Sequence, residues 1–522
     1  FADAGAICAG ATVAPVYFTN SPAECLYVLE HSDAVAVFCE NQEQLDKIDE
    51  IRDRLPHLEH VIAFDGSIEG SLSIADLRDI AGPVPDSVVD ERVAALDADQ
   101  VATYVYTSGT TGPPKACMLT HRNFIETMRM CEERLELRDT ATIFMFLPLA
   151  HVFARIIQMV TLDVGGTLAY WQRDPLKLLD DIKESNPTHF PSVPRVFEKI
   201  HTAASAGIAD QNRVKRALIR WSLATGREAR HIEGTGEPMS RLFHRKLAIA
   251  DKIVLSKVRA LFGNQLEMAI VGAAPTPHEV LEFFAACGIH VLEGYGMSET
   301  TAATTLNTIA EHRFGTVGRP LGGVEIAVDD DGEVLVRGPN VFAGYFKNEE
   351  ATREALTGGW LHTGDLGAIN DGYLSITGRK KDIIITSSGK NITPVNIENT
   401  LKATRWISEA VVYGDNRSYL VAMLTLDPDE APKLAEKLGV SDDPTAMASD
   451  PAVRAAIQEI VDRTNERFAR IEQVKRFAIL DHQLTQAEGE LTPTLKVKRA
   501  VVYDRYAPVF ESLYAEEGRT ES

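Results

Sequence analysis

The sequence predicts an α/β fold, with a large first domain of packed α/β units over residues 1–380 and a small, mobile α+β domain over 381–522. Three observations predict it. Short apolar, β-rich runs alternate with segments of helical periodicity through most of the chain, as in α/β units. One such run, Val101 to Tyr106, ends abruptly in a Ser/Thr/Gly-rich turn closed by Lys115, as an anion-holding loop after a strand requires. Finally, the cations Arg379-Lys380-Lys381 lie between two strand-like runs, where they read either as a solvated surface or as a linker able to rotate.

Taken in order, a helical pattern from Ala23 to His31 precedes a buried-strand run, Ala34 to Phe38. A charged helix (Gln42 to Arg54) and a short strand (His60 to Phe64) follow, and the polar stretch from Asp65 to Gln100 reads as loop and short helix. Beyond Lys115, Thr120 or Asn123 caps a helix running to about Leu135. Thr142 to Leu147 reads as a buried strand that ends at Pro148-Leu149-Ala150-His151; Gly165 to Trp171 and Thr188 to Val193 are the next two strands. Glu267 to Val271 is a strand entering the small-residue turn Gly272-Ala273-Ala274-Pro275, suited to letting a flat ring lie against backbone. A helix (Pro277 to Cys287) and strand (Ile289 to Leu292) come next, then several short strands between Gly315 and Ile376. Past the cationic linker, helices and strands alternate to Asp481, including an amphipathic helix from Pro451 to Ala469.

Bulk composition narrows the class. With 45% hydrophobic and 25% charged residues in 522, the chain can build a large globular core. A net charge of −22 argues against nonspecific nucleic-acid binding. The six cysteines form no C-x-x-C pair and no metal-ligand spacing, which fits a reduced, cytoplasmic setting. No uninterrupted apolar run approaches the ~20 residues that span a bilayer, and the start, carrying Asp3 without a basic leader, does not read as a signal peptide. One region breaks the acidic character: residues 211–246 hold nine Lys/Arg against three Glu, with Val214, Leu218 and Trp221 at helical spacing. This is either a solvated helical hairpin or a surface for peripheral contact with anionic membrane.

Four stretches carry chemistry. In Thr107-Ser108-Gly109-Thr110-Thr111-Gly112-Pro113-Pro114-Lys115 the glycines let backbone approach a phosphate, the hydroxyls supply donors and Lys115 adds a mobile charge. It is no ordinary P-loop, which has four residues between its glycines and Ser or Thr after the lysine; here two residues intervene and Ala116 follows. In Glu293-Gly294-Tyr295-Gly296-Met297-Ser298-Glu299-Thr300-Thr301, a tyrosine between glycines can offer its face to a planar base, beside oxygen ligands of the kind Mg²⁺ prefers. Asp365, in Trp360-Leu361-His362-Thr363-Gly364-Asp365, is placed on a tight turn to accept from two ribose hydroxyls. The last stretch, Glu490 to Arg499, reads alone as a basic tail.

In this order, over about three quarters of the chain, these stretches resemble the signatures of adenylate-forming enzymes, which include acyl-CoA synthetases, luciferases and peptide-synthetase adenylation domains. The phosphate loop of that family reads Thr-Ser-Gly-Thr-Thr-Gly-x-Pro-Lys-Gly, matched here through Lys115; Ala116 replaces the glycine, a mild change unless that position needs positive φ. The resemblance implies that the Thr107–Lys115 loop holds the ATP phosphates, that Gly272, Ala273 and Tyr295 frame the adenine, and that Asp365 and Arg379 hold the ribose. It implies a phosphate-binding role for Thr300, magnesium on Glu299 and Thr107, a hinge at Lys381, and Gly389 lining the pantetheine tunnel for CoA. The family's Thr-x-Thr-Gly-Lys-x-x-Arg aligns Lys496 as the catalytic lysine and Arg499 as a closing arginine, with Leu495 in place of the glycine and Lys498 as a nearby competitor. His151, alone a structural histidine, matches a Pro-Leu-x-His motif that contributes a gate beside the carboxylate pocket. Relative to the family, something like the first several dozen residues are expected to be missing from this chain, within the N-terminal subdomain.

The basic helical insertion, by its length, resembles the long-chain fatty acyl-CoA synthetases. The implied reaction joins a fatty acid to ATP, giving acyl-AMP, and then to CoA; no Ser/His/Asp triad is needed. A fatty acyl-AMP ligase loading a carrier protein and a truncated, inactive acyl- or nucleotide-binding homologue are the alternatives.

Overall fold

In the computed structural model, residues 1–66, 68–107, 113–174, 176–209, 211–236, 238–492 and 495–515 are described. The centre of the phosphate loop, Ser108, Gly109, Thr110, Thr111 and Gly112, lies outside them.

A seven-stranded sheet organises the large domain, in the order Arg319–Pro320, Thr305–Leu306, His290–Tyr295, Met268–Val271, His189–Ser192, Thr142–Met145, Thr167–Tyr170. The last five are parallel to one another, and the first two add an antiparallel edge. Parallel strands are buried on both faces, so their sequences read as continuous apolar runs rather than alternations. Phe144, Phe190, Ala269 and Val271 are accordingly all at most 1% exposed. Beneath them Phe197 meets Phe284 edge to face at 5.1 Å and stacks on Phe262 at 5.8 Å. The helices Arg213–Thr235 and His278–Ala286 cross closely at Gly226, where a Cβ would lie 2.0 Å from the Ala286 carbonyl oxygen.

A second layer carries the strands on either side of the Thr107–Lys115 loop. Val101–Thr107 pairs antiparallel with Lys115–Thr120, which pairs in turn with Gly344–Tyr345. Thr120 caps the helix His121–Leu135 through Asn123 N, and the Asn123 side chain returns to the Thr120 N–H, so both expected caps act together. Ala116 is paired with Tyr106 inside the strand and has no positive φ, so the methyl that replaces a glycine is accommodated without strain. An antiparallel sheet (Glu325–Val328, Glu333–Arg337, Trp360–Asn370, Leu356–Thr357, with Tyr373–Arg379) leads to the linker.

Beyond the 3₁₀ turn Lys380–Asp382, the small domain is built on the sheet Ile407–Tyr413, Leu420–Leu426, Val474–Leu480. Its core has Leu420, Ala422 and Leu424 on one face, against Ile397, Leu401, Ile457 and Phe477. Two ion pairs tie this domain to the helix Pro194–Ala209 of the large one: Arg195 with Asp427 and Lys199 with Asp429, both at 3.2 Å.

The basic segment forms the two expected helices, Arg213–Thr235 and Arg241–Ala250. Val214 is 79% and Leu242 78% exposed, whereas Trp221, expected on the same face as Val214, packs against the phenylalanine core. Among the described residues no helix is long and apolar enough to cross a membrane.

Candidate active site

The strand His290–Tyr295 ends at the carboxyl edge of the parallel sheet, the edge where open α/β sheets bind ligands. There the Tyr295 hydroxyl donates to Asp365 Oδ2 at 2.8 Å. Asp365 stands opposite Arg379 in the antiparallel register, and the Arg379 Nε donates to Asp365 Oδ1 at 2.7 Å. Burial, then the Asp365 charge, holds the Tyr295 phenol far above its ordinary range, so it stays a donor. Tyr295 and Arg379, far apart in sequence, thus share the one carboxylate of Asp365. Gly272 and Ala273 follow the neighbouring strand Met268–Val271, and Ala273 takes φ +71°, turning the chain out of the sheet beside Tyr295's strand.

Behind Asp365 lies a residue for which the sequence offers no signal. Glu333, 5% exposed, accepts from the Gly364 N–H at 2.8 Å through one oxygen and from Lys380 Nζ at 2.8 Å through the other, with His362 Nδ1 at 3.2 Å. Burial opposes its ionisation, yet these donors hold its carboxyl below the usual range. It fixes the strand at Gly364, just before Asp365, and the start of the linker together; Asp365 lies within the strand Trp360–Asn370 rather than on the expected tight turn. Lys381 itself is exposed in that linker turn.

Glu299 sits in the 3₁₀ turn Ser298–Thr300, 7% exposed, and accepts from the Tyr345 hydroxyl at 2.7 Å. Thr300 departs from expectation. It is fully buried, and its hydroxyl closes the turn by accepting from Met297 N (3.0 Å) and donating to Met297 O (3.2 Å), so it is not presented to a phosphate. Ser298 is the partly exposed hydroxyl of this turn. Thr107 and Lys115 face each other at the base of the phosphate loop, where Thr107 Oγ1 donates to the Lys115 carbonyl at 3.3 Å. The Lys115 ammonium lies 4.9 Å from the centre of the Tyr345 ring.

The small domain contributes Lys496. Around it, Thr492 N donates to the Lys496 carbonyl at 2.8 Å, Lys496 N donates to Thr492 Oγ1 at 3.0 Å, Leu491 bridges Val497, and Leu495 adopts φ +58°. That left-handed geometry is why glycine is the natural occupant of position 495; Leu495 adopts it at a steric cost and points 66% exposed into solvent. Lys496 keeps solvent access but is hemmed in by both domains. This desolvation, reinforced by the Arg379 charge and opposed by Asp365, pushes its ammonium down to about 8. His151 is pushed down to about 4 by burial and then by Lys496, and is neutral at pH 7. Its Nδ1 accepts from Phe153 N at 3.2 Å, capping the helix Val152–Asp163, so the proton of the neutral ring sits on Nε2. Lys496 therefore lies within electrostatic reach of His151, Asp365 and Arg379, and Asp365 is in turn bonded to Arg379 and Tyr295.

Two expected residues lie apart from this cluster. Arg499 forks onto both oxygens of Glu398, with Asp382 at 3.8 Å, and so ties the small domain's first helix to the linker. Gly389 occupies an exposed turn with φ +75° between Ile384–Ile385 and Asn391–Ile392.

A parallel-sheet domain that gathers a tyrosine, a buried carboxylate and an arginine at its strand ends, and receives a lysine from a small second domain, has the architecture of an adenylate-forming enzyme. Residues 1–346 match the AMP-binding enzyme family, and residues 381–518 match the AMP-binding enzyme C-terminal domain. The chain belongs to the AMP-binding enzyme family. Among curated relatives it is 36% identical over 526 residues to long-chain-fatty-acid–CoA ligase FadD15 of Mycobacterium bovis, covering 99% of this chain and 86% of that one. It is 32% identical to long-chain-fatty-acid–CoA ligase ACSBG1 of Homo sapiens, covering 99% and 76%. Similar solved folds include the adenylation domain of a carboxylate reductase from Mycobacterium chelonae (TM-score 0.73, 22% identity, covering 97% of this chain and 77% of that one). Another is the anthranilate CoA ligase AuaEII with anthranoyl-AMP (TM-score 0.67, 20% identity, covering 97% and 84%).

Proposed function

We propose that this protein is a long-chain fatty acid–CoA ligase forming AMP. The observation that carries the reading is the convergence of Lys496 from the small domain on Tyr295, Asp365 and Arg379, in a chain alike over 99% of its length to ligases of that name. In the first step a fatty acid carboxylate oxygen attacks the α-phosphorus of ATP; the bond to the bridging oxygen breaks and pyrophosphate leaves. Asp365 accepts from the ribose hydroxyls, Tyr295 lies against the base, and the Lys496 ammonium faces the charge that gathers on the α-phosphate. In the second step the CoA sulfur attacks the acyl carbon, the thiol proton is lost to solvent, and AMP departs. The small domain rotates about Lys381 between the steps, withdrawing Lys496 and bringing forward the Gly389 turn.

Magnesium fits these residues. Among the described residues no group of three or more acidic, His or Cys side chains is arranged to hold a metal by itself. A single carboxylate, Glu299, beside the phosphate loop suits a cation that takes most of its ligands from phosphate and water. When bound, it would neutralise charge on the departing pyrophosphate.

The test is pyrophosphate release with palmitate and ATP, with and without CoA. Release with acyl-CoA formation is expected. Absence of both acyl-AMP and acyl-CoA would sink the enzyme reading, and an adenylate that persists despite CoA would favour a carrier-protein acceptor.

The same proposal extends to where the fatty acid is met. The helices Arg213–Thr235 and Arg241–Ala250 expose Val214, Leu242 and Ile249 among Arg213, Lys215, Arg241 and Arg245, a combination suited to an anionic bilayer surface. In liposome flotation the protein is expected to rise with anionic vesicles at low salt and to be released at high salt. Equal flotation with neutral vesicles would remove the electrostatic reading.

A further inference from the structure

The segment from Asn340 to Tyr345 grips the Glu299 turn along its whole length. Asn340 Nδ2 donates to the Thr300 and Ala303 carbonyls at 3.4 and 2.7 Å, and Thr301 Oγ1 donates to the Asn340 carbonyl at 2.8 Å. Phe342 N donates to the Glu299 carbonyl at 2.9 Å. At the end of the segment the Tyr345 hydroxyl donates to the Glu299 carboxylate at 2.7 Å.

Tyr345 is fixed from several directions. Its backbone pairs with Cys117 on the strand leaving the phosphate loop, and its N–H donates to Thr352 Oγ1 at 2.9 Å. The preceding Gly344 has φ +131°, and a Cβ there would lie 2.6 Å from the Thr352 methyl, so only glycine permits this approach. Phe342 holds the ring edge to face at 4.8 Å. The ring in turn carries the Lys115 ammonium 4.9 Å from its centre, within cation–π range. One side chain therefore touches both the carboxylate read as the metal ligand and the lysine of the phosphate loop.

We propose that Tyr345 is a positioning residue for the adenylation step: its hydroxyl orients one Glu299 oxygen so that the other faces the divalent cation, while its ring steadies Lys115 over the departing pyrophosphate. The proposal rests on the reading of Glu299 as the metal ligand. A phenol suits the task because it donates one directional bond without bringing a charge that would repel the cation. Phenylalanine would keep the ring and Lys115 but release Glu299; leucine would release both.

The test uses the full chain with Mn²⁺ and a non-hydrolysable ATP analogue, reading bound Mn²⁺ by electron paramagnetic resonance, alongside the Mg²⁺ dependence of pyrophosphate release. Tyr345→Phe is expected to weaken Mn²⁺ binding and raise the Mg²⁺ requirement by about tenfold, the scale of one lost hydrogen bond to a charged group. Tyr345→Leu is expected to add a rise in the KM for ATP. Conversion of supplied acyl-AMP to thioester should be unchanged in both, which also reports that the variants are folded. Unchanged Mn²⁺ affinity and Mg²⁺ dependence in Tyr345→Phe overturns the proposal. Glu299→Gln separates the two layers. If it weakens Mn²⁺ binding while Tyr345→Phe does not, only the positioning role falls; if it too has no effect, Glu299 is not the ligand and both fall.

Discussion

Lys496→Ala is expected to slow acyl-AMP formation by about 10²–10³-fold, the range found when a single preorganised charge-stabilising donor is removed. Conversion of supplied acyl-AMP to thioester should remain, because on the proposed rotation Lys496 is withdrawn from the site before that step. The measurement is the two half-reactions assayed separately. Loss in Lys498→Ala instead would move the assignment along the loop. The ammonium also makes a pH prediction. Its value is pushed down to about 8, so the charged fraction falls as pH rises through 8, and adenylation should decline on the alkaline side. Glu293, pushed up to about 7 by burial, titrates nearby, so Lys496→Arg is the discriminating variant. Arginine stays charged, and the alkaline decline should vanish with it while any limb due to Glu293 remains. His151, down at about 4, is neutral throughout this range and contributes no limb.

Asp365→Ala should lower kcat/KM for ATP by about 10²-fold, since bonds to an ionised group contribute roughly 1.5–3 kcal/mol each. The variant removes the acceptor for the ribose and leaves the Tyr295 hydroxyl and Arg379 Nε without their shared partner. Asp365→Asn keeps one acceptor oxygen and should lose less. The dependence on fatty acid concentration should change little in either variant. An unchanged ATP dependence in Asp365→Ala would refute the ribose role.

Several of these features could be read without coordinates, and for identifiable reasons. The strands Thr142–Met145 and His189–Ser192 have apolar centres because parallel neighbours bury both faces, and the Thr120 cap is a local matter between residues three apart. Tyr295, Asp365 and Arg379 stand out by residue type at motif spacing, and the fold brings them within hydrogen-bond reach. What stayed hidden depends on side-chain direction or on distant partners. Thr300 has the right chemistry, but its hydroxyl turns inward, something only the geometry of a 3₁₀ turn decides. Glu333 and Tyr345 lie in short strands whose sequences carry no mark of the groups they hold, because those groups arrive from elsewhere in the chain. Trp221 shares a helical stripe with Val214, but the helix runs past the edge of the body, so one buries and the other does not.

Glu333 carries a consequence for the timing of the two steps. Its two oxygens hold Gly364, one residue before Asp365, and Lys380, one residue before Lys381. On the proposed function, nucleotide occupancy and rotation at the linker are two equilibria with a common anchor, and any free energy by which one biases the other is returned in equal measure. With Asp365 on the ribose and Lys381 as the hinge, as proposed, release of AMP and resetting of the lid would be thermodynamically linked, with a single buried glutamate as the joint between them.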